Sequence, residues 1–196
     1  MPDADPVQWA RVASDMHAAA VRTQLAHADA IYQFDVRFDG GKGVHLSVNG
    51  AKGHLFRVTL TPAGFQVRKD GSKTDEADKP ALLDSCKMTF EPGKWYTMVV
   101  EACGNEVLAR ADERHFAFGA DAKLASAKTN FGFPVTGDAV SIDNVRVWEA
   151  TPSPAWPAAK EKLAAEHPAK LDPARPVKGK AAGGAKAAAA AKPADK

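Results

Sequence analysis

The chain has 196 residues, 45% hydrophobic and 26% charged, enough for one packed domain with an extension. Its net charge of +2 is unevenly spread: residues 151–196 carry nine Lys/Arg against four Asp/Glu, while residues 1–150 carry seventeen against twenty. A weakly acidic main body lacks the basic footprint of a nucleic-acid-binding domain, and no run reaches the roughly 18 apolar residues of a membrane-spanning helix.

The opening Met1-Pro2-Asp3-Ala4-Asp5-Pro6 has neither the charged nor the apolar region of a signal peptide. Read as written, the chain is expected in the cytoplasm, with export the alternative if the true start lies upstream. Across residues 7–29 the apolar positions hold no clean 3.6-residue stripe, so two short strands near Trp9–Val12 and Ala19–Thr23 are expected rather than a helix.

From Ala30 to Asp70 the pattern sharpens. Apolar residues alternate along Tyr32, Phe34, Val36 and Phe38, then Val44, Leu46 and Val48, then Phe56, Val58 and Leu60, then Phe65 and Val67. That period of two marks strands buried on one side. Glycine-rich links at Asp39–Gly43 and Asn49–Gly53, and Thr61-Pro62-Ala63-Gly64, read as turns, so a four-strand antiparallel meander is expected. Pairing Val36 with Leu46, Leu46 with Phe56, and Val58 with Val67 keeps the apolar face continuous. The other face then carries Arg37, His45, Arg57 and Arg68 in one row, with Asp35, Ser47 and Leu55 behind, and Gln33 and Asn49 behind those. Like charges on neighbouring strands repel, so the row needs a counter-charge or an anionic ligand. Arginine suits the second role, because its planar fork grips carboxylate or sulfate.

Residues 71–80 read as an exposed loop and Lys87–Phe90 as a short strand. A second hairpin joins Trp95–Cys103 to Glu106–Asp112 through Gly104-Asn105. It places Met98, Val100 and Ala102 with Val107, Ala109 and Ala111 on one face. Glu101 and Asp112, on the other face, are the carboxylates expected near the basic row. Phe116–Phe118, Phe131–Val135 and Val140–Trp148 supply further strands, and a phase change at Asp143-Asn144 marks a bulge. Ten to twelve short strands with regular turns describe a two-sheet antiparallel sandwich of jelly-roll type over residues 1–150.

Residues 151–196 contain sixteen Ala, seven Pro and one aromatic, Trp156. A turn or two of helix is expected within Pro152–Ala165, with Trp156 docked on the sandwich, and disorder beyond His167. This basic tail acts as a soluble spacer or, by charge alone, contacts anionic polymers such as DNA.

Motifs of chemistry are scarce. No GxGxxG, P-loop, GxSxG, HExxH or EF-hand loop occurs, and the six histidines show no metal-ligand spacing, so no cofactor and no metal are expected. Cys86 and Cys103 lack CxxC spacing; a disulfide between them needs an oxidising compartment, and two buried free thiols are the simpler expectation. The carboxylate pair of a retaining glycosidase, about 5 Å apart, has no counterpart here.

The segments Tyr32-x-Phe34-x-x-Arg37-Phe38, Gly93-Lys94-Trp95-x-x-Met98-x-Val100 and Asp143-Asn144-Val145-Arg146-Val147 resemble the concanavalin A-like sandwiches. Within that group the sequence is most similar to the bacterial 3-keto-disaccharide hydrolase-type domains. The resemblance implies two curved sheets with any glycan site on the concave face, and exported relatives. It departs from that family at Gly40-Gly41-Lys42-Gly43 and at Asp112-Glu113-Arg114. The expected function is a non-catalytic module binding acidic or hydroxyl-rich glycans through Arg37, His45, Arg57, Arg68 and Asn49. Two alternatives stand beside it: a hydrolase of 3-keto-glycosides with His45 or Asp35 as general base, and a structural surface protein tethered by its tail. The expected partner is a glycan or a sugar-derived small molecule.

Overall fold

A long strand that changes partners halfway organises the molecule. The computed structural model describes residues 19–72, 75–171 and 178–179. Its first strands are β1 (Ala19–His27), β2 (Ala30–Gly50), β3 (Gly53–Thr61), β4 (Gly64–Lys69) and β5 (Ala81–Lys87). There follow β6 (Tyr96–Cys103), β7 (Glu106–Arg110), β8 (Phe116–Ala120) and β9 (Lys128–Glu149). Helices α1 (Trp156–Glu166) and α2 (Pro168–Leu171) and the two-residue β10 (Lys178–Gly179) complete the described chain.

Strands β2 and β9 run antiparallel along nearly their whole lengths, from Ala30↔Glu149 to Asn49↔Asn130. The first part of β2, Ala30–Val36, also pairs with β6, which continues to β7 and β8. Its last part, Val44–Gly50, pairs instead with β3, which continues through β4 and β5 to β10. On the other side β1 pairs with the start of β9. One ribbon therefore belongs to two antiparallel sheets, a front sheet (β1, β9, β2, β3, β4, β5, β10) and a back sheet (β9, β2, β6, β7, β8), and the sheets pack as a jelly-roll-like sandwich.

The core lies between them. Tyr32 and Phe34 of the back sheet meet Phe131 and Phe133 of the front sheet edge to face, at 5.6 and 5.0 Å between ring centres. Phe90 seals one end against Phe38, Phe65 and Tyr96. At the other side buried Asp84 of β5 accepts the Phe118 backbone N–H of β8 at 3.0 Å, which ties the two sheets together by a satisfied polar group.

The expected meander is corrected at its first turn. Asp39–Gly43 continues the strand, and Val36 pairs with Tyr96 and Ile142, not with Leu46. Glycine makes this possible: Gly40 has φ +93°, and a Cβ on Gly41 would sit 2.4 Å from Val140 Cγ2 and 2.6 Å from the Ala139 carbonyl oxygen. The DGGKG segment is a kink where the ribbon passes from one sheet to the other. Leu46 pairs with Val58, two residues from the expected Phe56, because the hairpin closes on Ala51-Lys52 and absorbs Leu55 as a bulge. Val58 does pair with Val67.

The strand expected at Lys87–Phe90 lies earlier, at Ala81–Lys87. The Gly104-Asn105 hairpin has the expected register, ending at Cys103↔Glu106. The bulge near Asp143-Asn144 is present, with Asn144 at φ +49° and a register shift opposite Gln33–Asp35. The expected strand Ala19–Thr23 is the first half of β1, whereas Trp9–Val12 lies outside the described residues. Cys86 and Cys103 are free thiols. Beyond His167, where disorder was expected, the described residues are those of α2 and β10; residues 172–177 and 180–196 lie outside the described set.

Candidate functional site

Alternation along β2 sends Val44, Leu46 and Val48 into the core, so His45, Ser47 and Asn49 project from the outer face of the front sheet. Register supplies their neighbours: Thr59 lies opposite His45, Arg57 opposite Ser47, and Arg68 of β4 opposite Arg57. The bulge at Leu55 turns His54 outward beside Asn49. On the other flank β1 brings Arg22 next to Gly132 of β9. Together they frame a cleft of about 540 Å³, with His45, Ser47, Asn49, His54, Arg57 and Arg22 among its walls.

A chain of hydrogen bonds fixes these side chains. Thr59 Oγ1 lies 2.8 Å from His45 Nδ1. His54 Nδ1 bonds Asn49 Oδ1 and lies 3.3 Å from Ser47 Oγ. Asn49 Nδ2 donates to Asn130 Oδ1 at 2.6 Å. Arg57 Nε forms an ion pair with Asp70 Oδ2 at 3.3 Å, and the Asp70 carbonyl oxygen accepts from Lys123 Nζ at 2.7 Å. Burial lowers the pKa of His45, and Arg57 and Arg68 push the same way against Asp70. The neutral imidazole is therefore favoured, and the fixed positive charge of the face resides on arginine.

Three expectations about this face are corrected. Arg37 is eight residues from His45 on one strand, about 26 Å of extended chain, and lies across the kink on the back sheet. There it bonds Asp39 (2.8 Å) and Ser141 (3.3 Å). The row breaks because β2 runs on where the sequence signalled a return. Asp35 likewise lies on the back sheet, accepting from Thr97 Oγ1 and Asn144 Nδ2 at 2.6 and 2.7 Å, so it shares no site with His45. The counter-charge is Asp70; Glu101 pairs with Arg110 at 2.6 Å, and Asp112 accepts from the Arg114 and His115 backbone. Sequence reasoning missed Asp70, His54 and Arg22. Their signals were weak: Asp70 closes a strand, His54 follows a turn whose bulge sets its direction, and Arg22 depends on which strand β1 joins.

No family model matches the sequence, and no curated protein matches it. Among solved structures the chain is similar to the carbohydrate binding module CBM66 from Bacillus subtilis, at 17% identity and TM-score 0.54 over 68% of this chain and 83% of that one. It is also similar to the native heptameric SAP-like pentraxin from Limulus polyphemus, at 10% identity and TM-score 0.51 over 71% and 74% of the two chains. At these identities what is shared is the fold: a jelly-roll sandwich of the concanavalin A-like kind.

Proposed function

We propose that the protein is a non-catalytic binding module for acidic, hydroxyl-rich glycans, which it takes into the front-sheet cleft. The observation that carries this reading is the cleft's chemistry. Donors and acceptors from His45, Ser47, Asn49 and His54 are held by neighbouring side chains, beside Arg57 with Arg68 next to it. Prearranged groups of this kind lose little freedom on binding. Hydroxyls both donate and accept, as the amide and imidazole groups do, and a uronate carboxylate meets the arginine fork. The likeness to a carbohydrate-binding module supports the same ligand class.

The test is a glycan array followed by titration with polygalacturonate. Wild type is expected to bind uronic-acid polymers, and Arg57→Ala to bind them at least about tenfold less tightly, a loss of ~1.4 kcal/mol. Equal binding by the variant, or none by wild type, would remove the proposal. A second reading, a hydrolase of 3-keto-glycosides as the sequence resemblance implies, is favoured by one feature: His45 is kept unprotonated, as a general base must be. The binding-module reading expects no turnover when the same preparation is incubated with a 3-keto-disaccharide. Turnover abolished by His45→Gln would replace it with the enzyme.

A further inference from the structure

The back sheet carries a second constellation that the cleft does not use. Register places Trp95 beside Arg37 on the outer face, since Val36 pairs with Tyr96 one residue further along. The guanidinium carbon of Arg37 lies 4.8 Å from the centre of the Trp95 ring, yet Trp95 is 42% exposed. Arg37 Nε donates to both Asp39 carboxylate oxygens, at 2.8 and 3.2 Å, and Ser141 Oγ donates to Asp39 Oδ2 at 2.6 Å. The indole does not hang from a free loop. The turn before it is anchored where the Gly93 N–H meets the Phe38 carbonyl at 3.0 Å, and the Glu91 N–H donates to the Tyr96 hydroxyl at 3.0 Å.

We propose that Trp95, Arg37, Asp39 and Ser141 form a second, independent subsite for a neutral polysaccharide chain with equatorial hydroxyls, such as a β-1,4-linked glucan. Arg37 covers one face of the indole, and the opposite electron-rich face is the one that meets the C–H face of a flat pyranose ring. The Arg37–Asp39 pair sets donors beside acceptors, the pattern that neighbouring hydroxyls match by accepting from one and donating to the other. Charge separates this subsite from the cleft. Arg37 is balanced by Asp39 at the back, whereas at the front Arg57 pairs with Asp70 while Arg22 lines the same cleft and Arg68 lies beside Arg57. A neutral chain fits the first and an anionic chain the second. The subsite does not rest on the cleft reading, because the two lie on different sheets and are broken by different substitutions.

Titration of the full chain with cellohexaose, followed by calorimetry and tryptophan fluorescence, tests this. Saturable binding is expected for wild type and, unchanged, for Arg57→Ala. Trp95→Ala is expected to weaken it at least about tenfold, with polygalacturonate binding intact. Should Trp95→Ala fail to fold by circular dichroism, Arg37→Gln is expected to lose cellohexaose to the same degree. Absence of saturable binding to wild type, or equal affinity in a folded Trp95→Ala or Arg37→Gln protein, would overturn the proposal. Loss of polygalacturonate binding alone would bear only on the cleft.

Discussion

His45 stands among charged neighbours of its own sheet, and its environment settles its protonation. Burial disfavours the imidazolium, Arg57 and Arg68 add repulsion, and Asp70 offsets only part of this. The folded pKa therefore lies below the unfolded value of about 6.5. For a base shifted in that direction, the unfolded chain takes up its proton first as the solution is acidified. The contribution to stability is complete above about pH 6.5 and is lost as pH falls through the folded value. Urea denaturation of wild type is expected to show stability falling over that window, with a flatter profile for His45→Gln. Parallel profiles would mean that the acid sensitivity comes from another group.

At the scale of elements, what could be read from the sequence depended on whether local rules and tertiary context agreed. The β6–β7 hairpin was legible because Gly104-Asn105 fixes its register and Met98, Val100, Ala102, Val107 and Ala109 all face the core. The Asp143-Asn144 bulge was legible because it changes the phase of the apolar residues around it. The alternation of β2, β3 and β4 gave the correct faces, so His45, Asn49, Arg57 and Arg68 were assigned to one outer surface. The span of β2 was not legible. A DGGKG segment has the composition of a turn, and only its packing against β9 shows that small residues are there for close approach. Arg37 was misplaced for that reason alone. Gly41→Ala tests the kink: its Cβ would meet Val140 Cγ2 and the Ala139 carbonyl well inside contact distance. A destabilisation of about 2 kcal/mol is expected from overpacking, against under about 0.5 kcal/mol for exposed Lys42→Ala. Equal urea midpoints for the two variants would show that the ribbon yields at this point.

For the whole molecule, the question is where the sandwich ends. Composition puts a boundary near residue 150, where Ala, Pro and Lys begin to dominate. Packing favours a later one. The outer faces of β7 and β8 carry Leu108, Phe116 and Phe118, and these bury against Trp156, Leu163, Ala164 and Leu171 of the two helices. Trp156 Nε1 donates to Glu106 Oε2 at 2.7 Å, and Lys160 pairs with the same carboxylate. Helix α1 is thus a lid on the part of the back sheet that could not face water, and it leaves the β2–β6 part beside Trp95 open. The helix and the docking of Trp156 were legible in the sequence; low-complexity composition hid only the further anchors Leu163, Ala164 and Leu171, because a few residues are enough to hold a helix that is otherwise alanine and charge. A chain ending at Ala150 would expose two phenylalanines and a leucine side by side, a contiguous apolar patch of several hundred Å² by the usual aromatic areas. It is expected to bind a hydrophobic dye and self-associate in sedimentation, whereas a chain ending at Gly179 is expected to match the full chain in both sedimentation and melting temperature. If the shorter chain were equally monodisperse and stable, the helices would be an appendage, and the back-sheet face would be open along its whole width to a polymer.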